Sequence, residues 1–265
     1  MKNKTKSLSK MRILITNDDS IHANGIKALE KIANNITPDV WVVAPEVGQS
    51  GKGFSVTFDD ILRVKELSPR KFSVSGTPAD CVFVALGQIL KDKKPDLVLS
   101  GINHGSNIGD FIGLSGTIGA AFAASSQNIR SIAVSQDCLE SACLIKFPAI
   151  DYFLQEIIKK LMSFDWPDGV CMNVNFPDVA LDAVKGIRIA TQGKMEVSWN
   201  IHERMDPVDH AYYWLRAKYV EKPSSENSDL VLLEQGKYIT ITPLQNRQEH
   251  EGCFKELEEI FSTNA

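Results

Sequence analysis

Residues 11–26 read "MRILITNDDSIHANGI", and the first six form an apolar run that is continuous rather than alternating. A strand that shows apolar side chains to both faces belongs to a parallel sheet covered by helices on each side. The run ends on Asp18 and Asp19, two neighbouring carboxylates followed by Ser20 and a loop. Like charges this close at the mouth of a buried strand repel, and desolvation sharpens the repulsion, so a cation or a proton is expected beside them.

Three further runs share this grammar: "VWVVAP" (40–45), "DLVLSG" (96–101) and "SIAVS" (131–135). Helical patterning fills the gaps, with "GIKALEKIANNI" after the first strand, "PADCVFVALGQIL" before the third and "GTIGAAFAASSQN" before the fourth. The alternation predicts a doubly wound α/β fold over residues 11–148. Residues 53–75 break the rhythm: "FSVTF", "ILRVKEL" and "KFSVS" predict short strands, a β insertion beside the main sheet. Beyond it, "FPAIDYFLQEIIKKLM" (147–162) has amphipathic helical spacing, and "CMNVNFP" (171–177) predicts another strand.

The last third differs in texture. Trp199, Tyr212, Tyr213, Trp214 and Tyr219 cluster around the strand-like runs "AYYWLRAKYV" and "KYITITPL", which the polar "EKPSSENSD" (221–229) separates. This predicts an aromatic hairpin arm that packs either on a partner subunit or back on its own domain. The expected organisation is a flexible basic tail over residues 1–10 and a single α/β domain over 11–265, with the arm inside 199–245.

A net charge of −4 and a pI near 5.8 give no basic footprint for a nucleic-acid backbone. No run approaches the roughly 18 apolar residues of a membrane span, and the polar "MKNKTKSLSK" has no apolar core of the kind a secretory signal carries. Cys81, Cys138, Cys143, Cys171 and Cys253 are odd in number and scattered, which predicts reduced thiols in a cytoplasmic protein.

In an open parallel sheet, ligands bind beyond the carboxyl ends of the strands. Those ends carry Asn17, Asp18 and Asp19, then "EVGQSGKG" with Ser50, then "INHGSN" with Asn103 and Asn107, then "QD". The set is rich in oxygen and lacks paired histidines or cysteines, so it selects a hard cation such as Mg²⁺ or Mn²⁺. The alternative is that Asp18 and Asp19 build a turn or cap the helix starting near Ala23. The glycine-rich "INHGSNIGDFIGLSGTIGAAFAAS" can bring backbone N–H groups close to a ligand, and Ser115, Gly116 and Thr117 at its helix start are candidate phosphate contacts. The competing account of Ser115 is a plain helix cap. P-loop, dinucleotide and nucleophile-elbow motifs are absent, which disfavours a nucleotide-driven motor, a dinucleotide oxidoreductase and a serine hydrolase. His104 lies in the glycine-rich loop and receives no role.

Taken together, "ITNDDSIHANGI", "VVAPEVGQSG", "VSGTPADCV", "PDLVLSGINHGSNIG", "SGTIGAA", "SIAVS", "NVNFP" and "ITPLQ" closely resemble the SurE family of 5′/3′-nucleotidases, in the family's order. The resemblance implies a Rossmann-like three-layer α/β fold with a C-terminal hairpin exchanged between subunits, in a homodimer or homotetramer. It implies metal-dependent hydrolysis of nucleoside monophosphates, with 3′-monophosphates and short polyphosphate as further substrates. Matched residue by residue, it makes Asp18, Asp19, Ser50 and Asn103 the ligands of one Mg²⁺ or Mn²⁺ per subunit. Asn107, Ser115, Gly116 and Thr117 become the phosphate side. Asp18 or Asp19 would act as base; covalent catalysis through an aspartyl phosphate and a non-catalytic phosphate sensor are the rival readings. One residue departs from the pattern: family members usually carry glycine where this chain has Ser20, a strain if the backbone there needs positive φ.

Overall fold

The structure is a computed structural model that describes residues 7–138, 147–221, 225–246, 253 and 258. The continuous apolar runs become β1 (Arg12–Thr16), β2 (Asp39–Pro45), β5 (Leu97–His104), β6 (Ser131–Gln136) and β7 (Val170–Phe176), all parallel to their neighbours in this set. The patterned segments become α1 (Asn24–Asn34), α2 (Pro78–Val84), α3 (Gly116–Ser125) and α4 (Pro148–Ser163). Successive side chains of β1 serve opposite faces: Ile13 and Ile15 pack with α1 and α4, while Leu14 packs with α2 and α3. Burial on both faces is the reason the run does not alternate.

The sheet has nine strands in the order β3-β4-β2-β1-β5-β6-β7-β11-β8. The chain leaves β1 toward β2 on one side and later returns to β5 on the other. The order therefore reverses between β1 and β5, the place where open sheets leave a crevice. Asp18 and Asp19 follow β1, and Asn103 is the penultimate residue of β5.

Several expectations shift. The β insertion is part of the main sheet: β4 (Lys71–Val74) runs parallel to β2, and β3 (Val64–Ser68) closes the edge antiparallel to β4. "FSVTF" forms no strand. Its polar groups are drawn to α2 instead, as the Thr57 backbone N–H and hydroxyl donate to Asp80 at 3.0 and 2.7 Å. Asp80 also accepts from the Thr77 backbone while the Thr77 hydroxyl caps α2, a reciprocal capping box. The arm is narrower than expected, comprising β9 (Met195–Met205) and β10 (Ala211–Glu221), whereas "KYITITPL" yields β11 (Ile239–Gln245), which returns to the main sheet antiparallel to β7. The three-residue β8 (Ile187–Ile189) beside it was too short to read. At the start, the boundary falls before residue 10, because Leu8–Lys10 make a 3₁₀ turn with Leu8 against the core.

Cys81 and Cys171 are buried free thiols, but Cys138 is in a disulfide, contrary to the expectation of reduced cysteines throughout. Among the described residues no helix is long and apolar enough to cross a membrane.

Candidate active site

The site grows from the end of β1. Asp18 is 3% exposed, and its Oδ1 accepts from the Thr117 hydroxyl at 2.6 Å. Its backbone carbonyl accepts from the Gln49 N–H at 2.7 Å, which ties the Ser50 loop to the same strand end. Neither carboxylate caps α1, whose cap residue is Ala23 with no side-chain bond. Asp19 instead accepts from the His104 N–H at 3.4 Å, joining the ends of β1 and β5.

Electrostatically the pair is uncompensated. Burial pushes the Asp18 carboxyl up to about 6; the Thr117 hydroxyl pulls it down and the charge of Asp19 pushes it further up. Burial also raises Asp19, against the pull of the His104 ring and backbone. No lysine or arginine forms an ion pair with either carboxylate among the described residues. Nor do those residues hold a group of three or more His, Cys, Asp or Glu, so any cation must draw on neutral oxygens. Two carboxylates plus serine and asparagine oxygens fit a hard divalent ion.

Ser50 is exposed in the turn after β2. Asn103 donates through Nδ2 to the Gly105 carbonyl at 2.7 Å, which leaves Oδ1 to serve as a ligand. The pairing of β5 with β6 shifts register between Gly101 and Asn103, so Ile102 is left out of the ladder and Asn103 pairs with Ser135.

The phosphate side is more committed than the sequence suggested. Ser115 caps α3 by accepting from the Ile118 N–H at 3.1 Å, and Thr117 spends its hydroxyl on Asp18. A Cβ at Gly116 would come within 2.8 Å of Asp18 Cβ, so only glycine lets α3 start this close to the carboxylate. The donors left at the helix start are the Ser115 hydroxyl hydrogen and the Gly116 N–H. Asn107 is buried: its Nδ2 donates to Ser135 at 2.8 Å, its N–H donates to Asn175 Oδ1, and its carbonyl accepts from Asn173 and Asn175.

Sequence reasoning missed this support. Asn173 and Asn175 stand two apart in "CMNVNFP", on one face of a strand buried on both, and polar residues in such a place announce a bonded network. Asp137, in the "QD" at the end of β6, accepts from the Ser106 hydroxyl at 3.0 Å, and burial raises its carboxyl. Ser20 sits at φ +94, the backbone region where a side chain is strained, and Asn17 holds it there by donating Nδ2 to the Ser20 carbonyl at 2.8 Å.

Comparison with known proteins identifies the family. The family model "Survival protein SurE" matches residues 13–199. The chain is 44% identical to the 5′-nucleotidase SurE of Parvibaculum lavamentivorans, across all of this chain and 95% of that protein. It is likewise 44% identical to the 5′-nucleotidase SurE of Paramagnetospirillum magneticum, across 96% of each. The crystal structure of the SurE protein from Aquifex aeolicus superposes with a TM-score of 0.79 at 32% identity, covering 94% of this chain and 99% of that one. A carboxylate pair at the switch point, a glycine-rich loop facing it and full-length relatives at this identity lead to one conclusion: the chain belongs to the SurE family.

Proposed function

We propose that the chain is a 5′-nucleotidase, a phosphomonoesterase that hydrolyses nucleoside monophosphates to nucleoside and phosphate. The observation that carries this reading is the pair of buried Asp18 and half-buried Asp19, which forms no ion pair with a lysine or arginine among the described residues and abuts the N-terminus of α3. The names borne by the two bacterial relatives support it.

Asp18, Asp19, Ser50 and Asn103 would hold the divalent ion, Mg²⁺ or Mn²⁺, one per subunit, and a bound ion would supply Lewis acidity toward the phosphoryl group. Thr117 fixes the rotamer of Asp18. The Ser115 hydroxyl, the Gly116 N–H and the second Nδ2 hydrogen of Asn107 face the phosphate, where fixed donors lower the barrier to phosphoryl transfer. Water attacks phosphorus in line, a carboxylate oxygen of Asp18 or Asp19 takes its proton, and the nucleoside oxygen leaves and acquires a proton from solvent. The same machinery reads only the phosphate end, which extends the substrates to 3′-monophosphates and short polyphosphate.

The arm supports assembly. Trp199, Ile201, Met205, Tyr213 and Leu215 share one face of the β9–β10 ribbon and are each about half exposed or more. A two-stranded ribbon with this apolar load is marginal alone, so a homodimer or homotetramer through the arm follows. The described residues from Leu8 onward, the arm included, are read as one domain. Free thiols at Cys81 and Cys171 support a cytoplasmic setting, with the disulfide of Cys138 as the observation against it.

The test is phosphate release from a nucleoside monophosphate with Mg²⁺ or Mn²⁺, repeated with chelator and with Asp18→Asn and Asp19→Asn. Metal-dependent release that both variants abolish is expected. Phosphate binding without turnover would favour the sensor reading, and full turnover in both variants would remove the site assignment.

A further inference from the structure

The root of the arm and the glycine-rich loop interlock beside the site, and a single buried carboxylate joins them. Asp229 is fully buried, and its carboxylate accepts from three backbone N–H groups. Its Oδ2 accepts from Gly109 at 3.1 Å, and its Oδ1 accepts from Gly193 at 2.8 Å and Leu230 at 2.9 Å. Gly109 opens the 3₁₀ turn Gly109–Leu114 that delivers Ser115, Gly116 and Thr117 to Asp18, while Gly193 lies two residues before β9.

Further ties run between the same segments. Gln192 Nε2 donates to the Gly109 carbonyl at 2.9 Å, and the Met195 N–H donates to Asp110 Oδ2 at 2.6 Å. Beneath them Ile108, Leu230 and Leu233 form a small apolar cluster that Met195 packs against. The fit is close: a Cβ at Gly109 would lie 2.7 Å from Met195 Cγ, and one at Gly193 would lie 3.0 Å from Asp229 Oδ1.

We propose that Asp229 is a positioning residue for the phosphate side of the site, locking the Gly109–Leu114 turn to the root of the arm. A carboxylate suits the place because both of its oxygens accept, and three N–H groups point at them. The two segments it joins lie 83 residues apart at Gly109 and Gln192, so the root of the arm is part of the scaffold that holds α3 against Asp18. The kinetic part of this inference rests on the phosphomonoesterase reading; the structural part does not.

Asp229→Asn separates the roles. The amide keeps one carbonyl oxygen for Gly193 and Leu230 and turns an NH₂ toward the Gly109 N–H, breaking only the bond to the loop. Hydrogen exchange in peptides covering residues 105–119 should accelerate about tenfold in this variant, with β1 and β2 unchanged. The kcat for nucleoside monophosphate should fall about tenfold for a lost charge-assisted bond. Unchanged loop exchange in the folded variant, or acceleration spread evenly over the whole chain, would overturn the proposal. If Asp229→Asn does not fold, Gln192→Ala decides, since it removes a neighbouring tie without leaving a buried charge. Faster exchange confined to residues 105–119 then supports the lock, and unchanged exchange refutes it. A parent protein without turnover would defeat the nucleotidase reading, and exchange alone would still judge the lock.

Discussion

Asp18 and Asp39 stand at opposite ends of the same pair of strands and are treated in opposite ways. At the lower end, burial works against the charge of Asp39. Hydrogen bonds from Trp41, Lys93 and Arg12, with the Arg12 charge, outweigh it and hold the carboxyl at about 2. At the upper end, Asp18 has one side-chain hydroxyl and a like-charged neighbour, and stands at about 6. The difference separates a carboxylate that builds the fold from one kept for something the protein does not itself supply. The lower end is closed by its own residues; the upper end is left in electrostatic debt.

Substitution at each end breaks or sharpens this contrast. The largest effect is expected from Asp18→Asn, which should lower metal-dependent turnover by at least about 10³-fold, as loss of several kcal/mol of charge stabilisation implies. Steady-state phosphate release measures it, and a loss under tenfold would erase the contrast. Gly116→Ala comes next: the added methyl drives α3 from Asp18, and a displacement of this kind costs about 10²-fold in kcat.

Stability provides the opposite-sign test. In metal-free protein at neutral pH, Asp18→Asn should raise stability to urea by about 2 kcal/mol, because it removes an uncompensated buried charge. Asp39→Asn should lower it by about 1 kcal/mol through weakened hydrogen bonds. The same sign for both variants would refute the distinction. The pH course is also fixed. A folded-state value raised from 3.8 to about 6 favours the protonated form, so the Asp18 contribution is present at acid pH and lost as pH rises through about 6. The stability gap between Asp18→Asn and the parent should therefore open over that window and stay constant above it. Metal affinity, read by calorimetric titration, should rise across the same window as the proton leaves.

The smallest effect concerns Ser20. At φ +94, glycine removes a strain of about 1 kcal/mol, so Ser20→Gly should raise the melting temperature slightly and leave turnover intact. A fall in stability would mean that the His22 N–H bond to the Ser20 hydroxyl, at 3.3 Å, outweighs the strain.

The sheet and its helices were legible because burial on both faces writes itself as continuous apolar runs, and β1, β2, β5, β6 and β7 all follow that rule. "FSVTF" misled because its alternation answers to Asp80, a partner more than twenty residues away. Asp18, Asp19, Ser50 and Asn103 were legible as strand ends once the sheet was. Sequence could not divide the labour of Ser115, Gly116 and Thr117 among cap, close approach and hydroxyl donor, since the three differ only in what faces them. Asp229 gave no signal, because its partners are backbone groups that every residue carries.

All ten residues of α3 are buried, and seven of them are glycine, alanine or serine. A helix enclosed on every side has no position at which a larger side chain can be tried. Evolution therefore has little freedom there, and variation in what this scaffold accepts must enter through its borders, where the ribbon of β9 and β10 still faces outward.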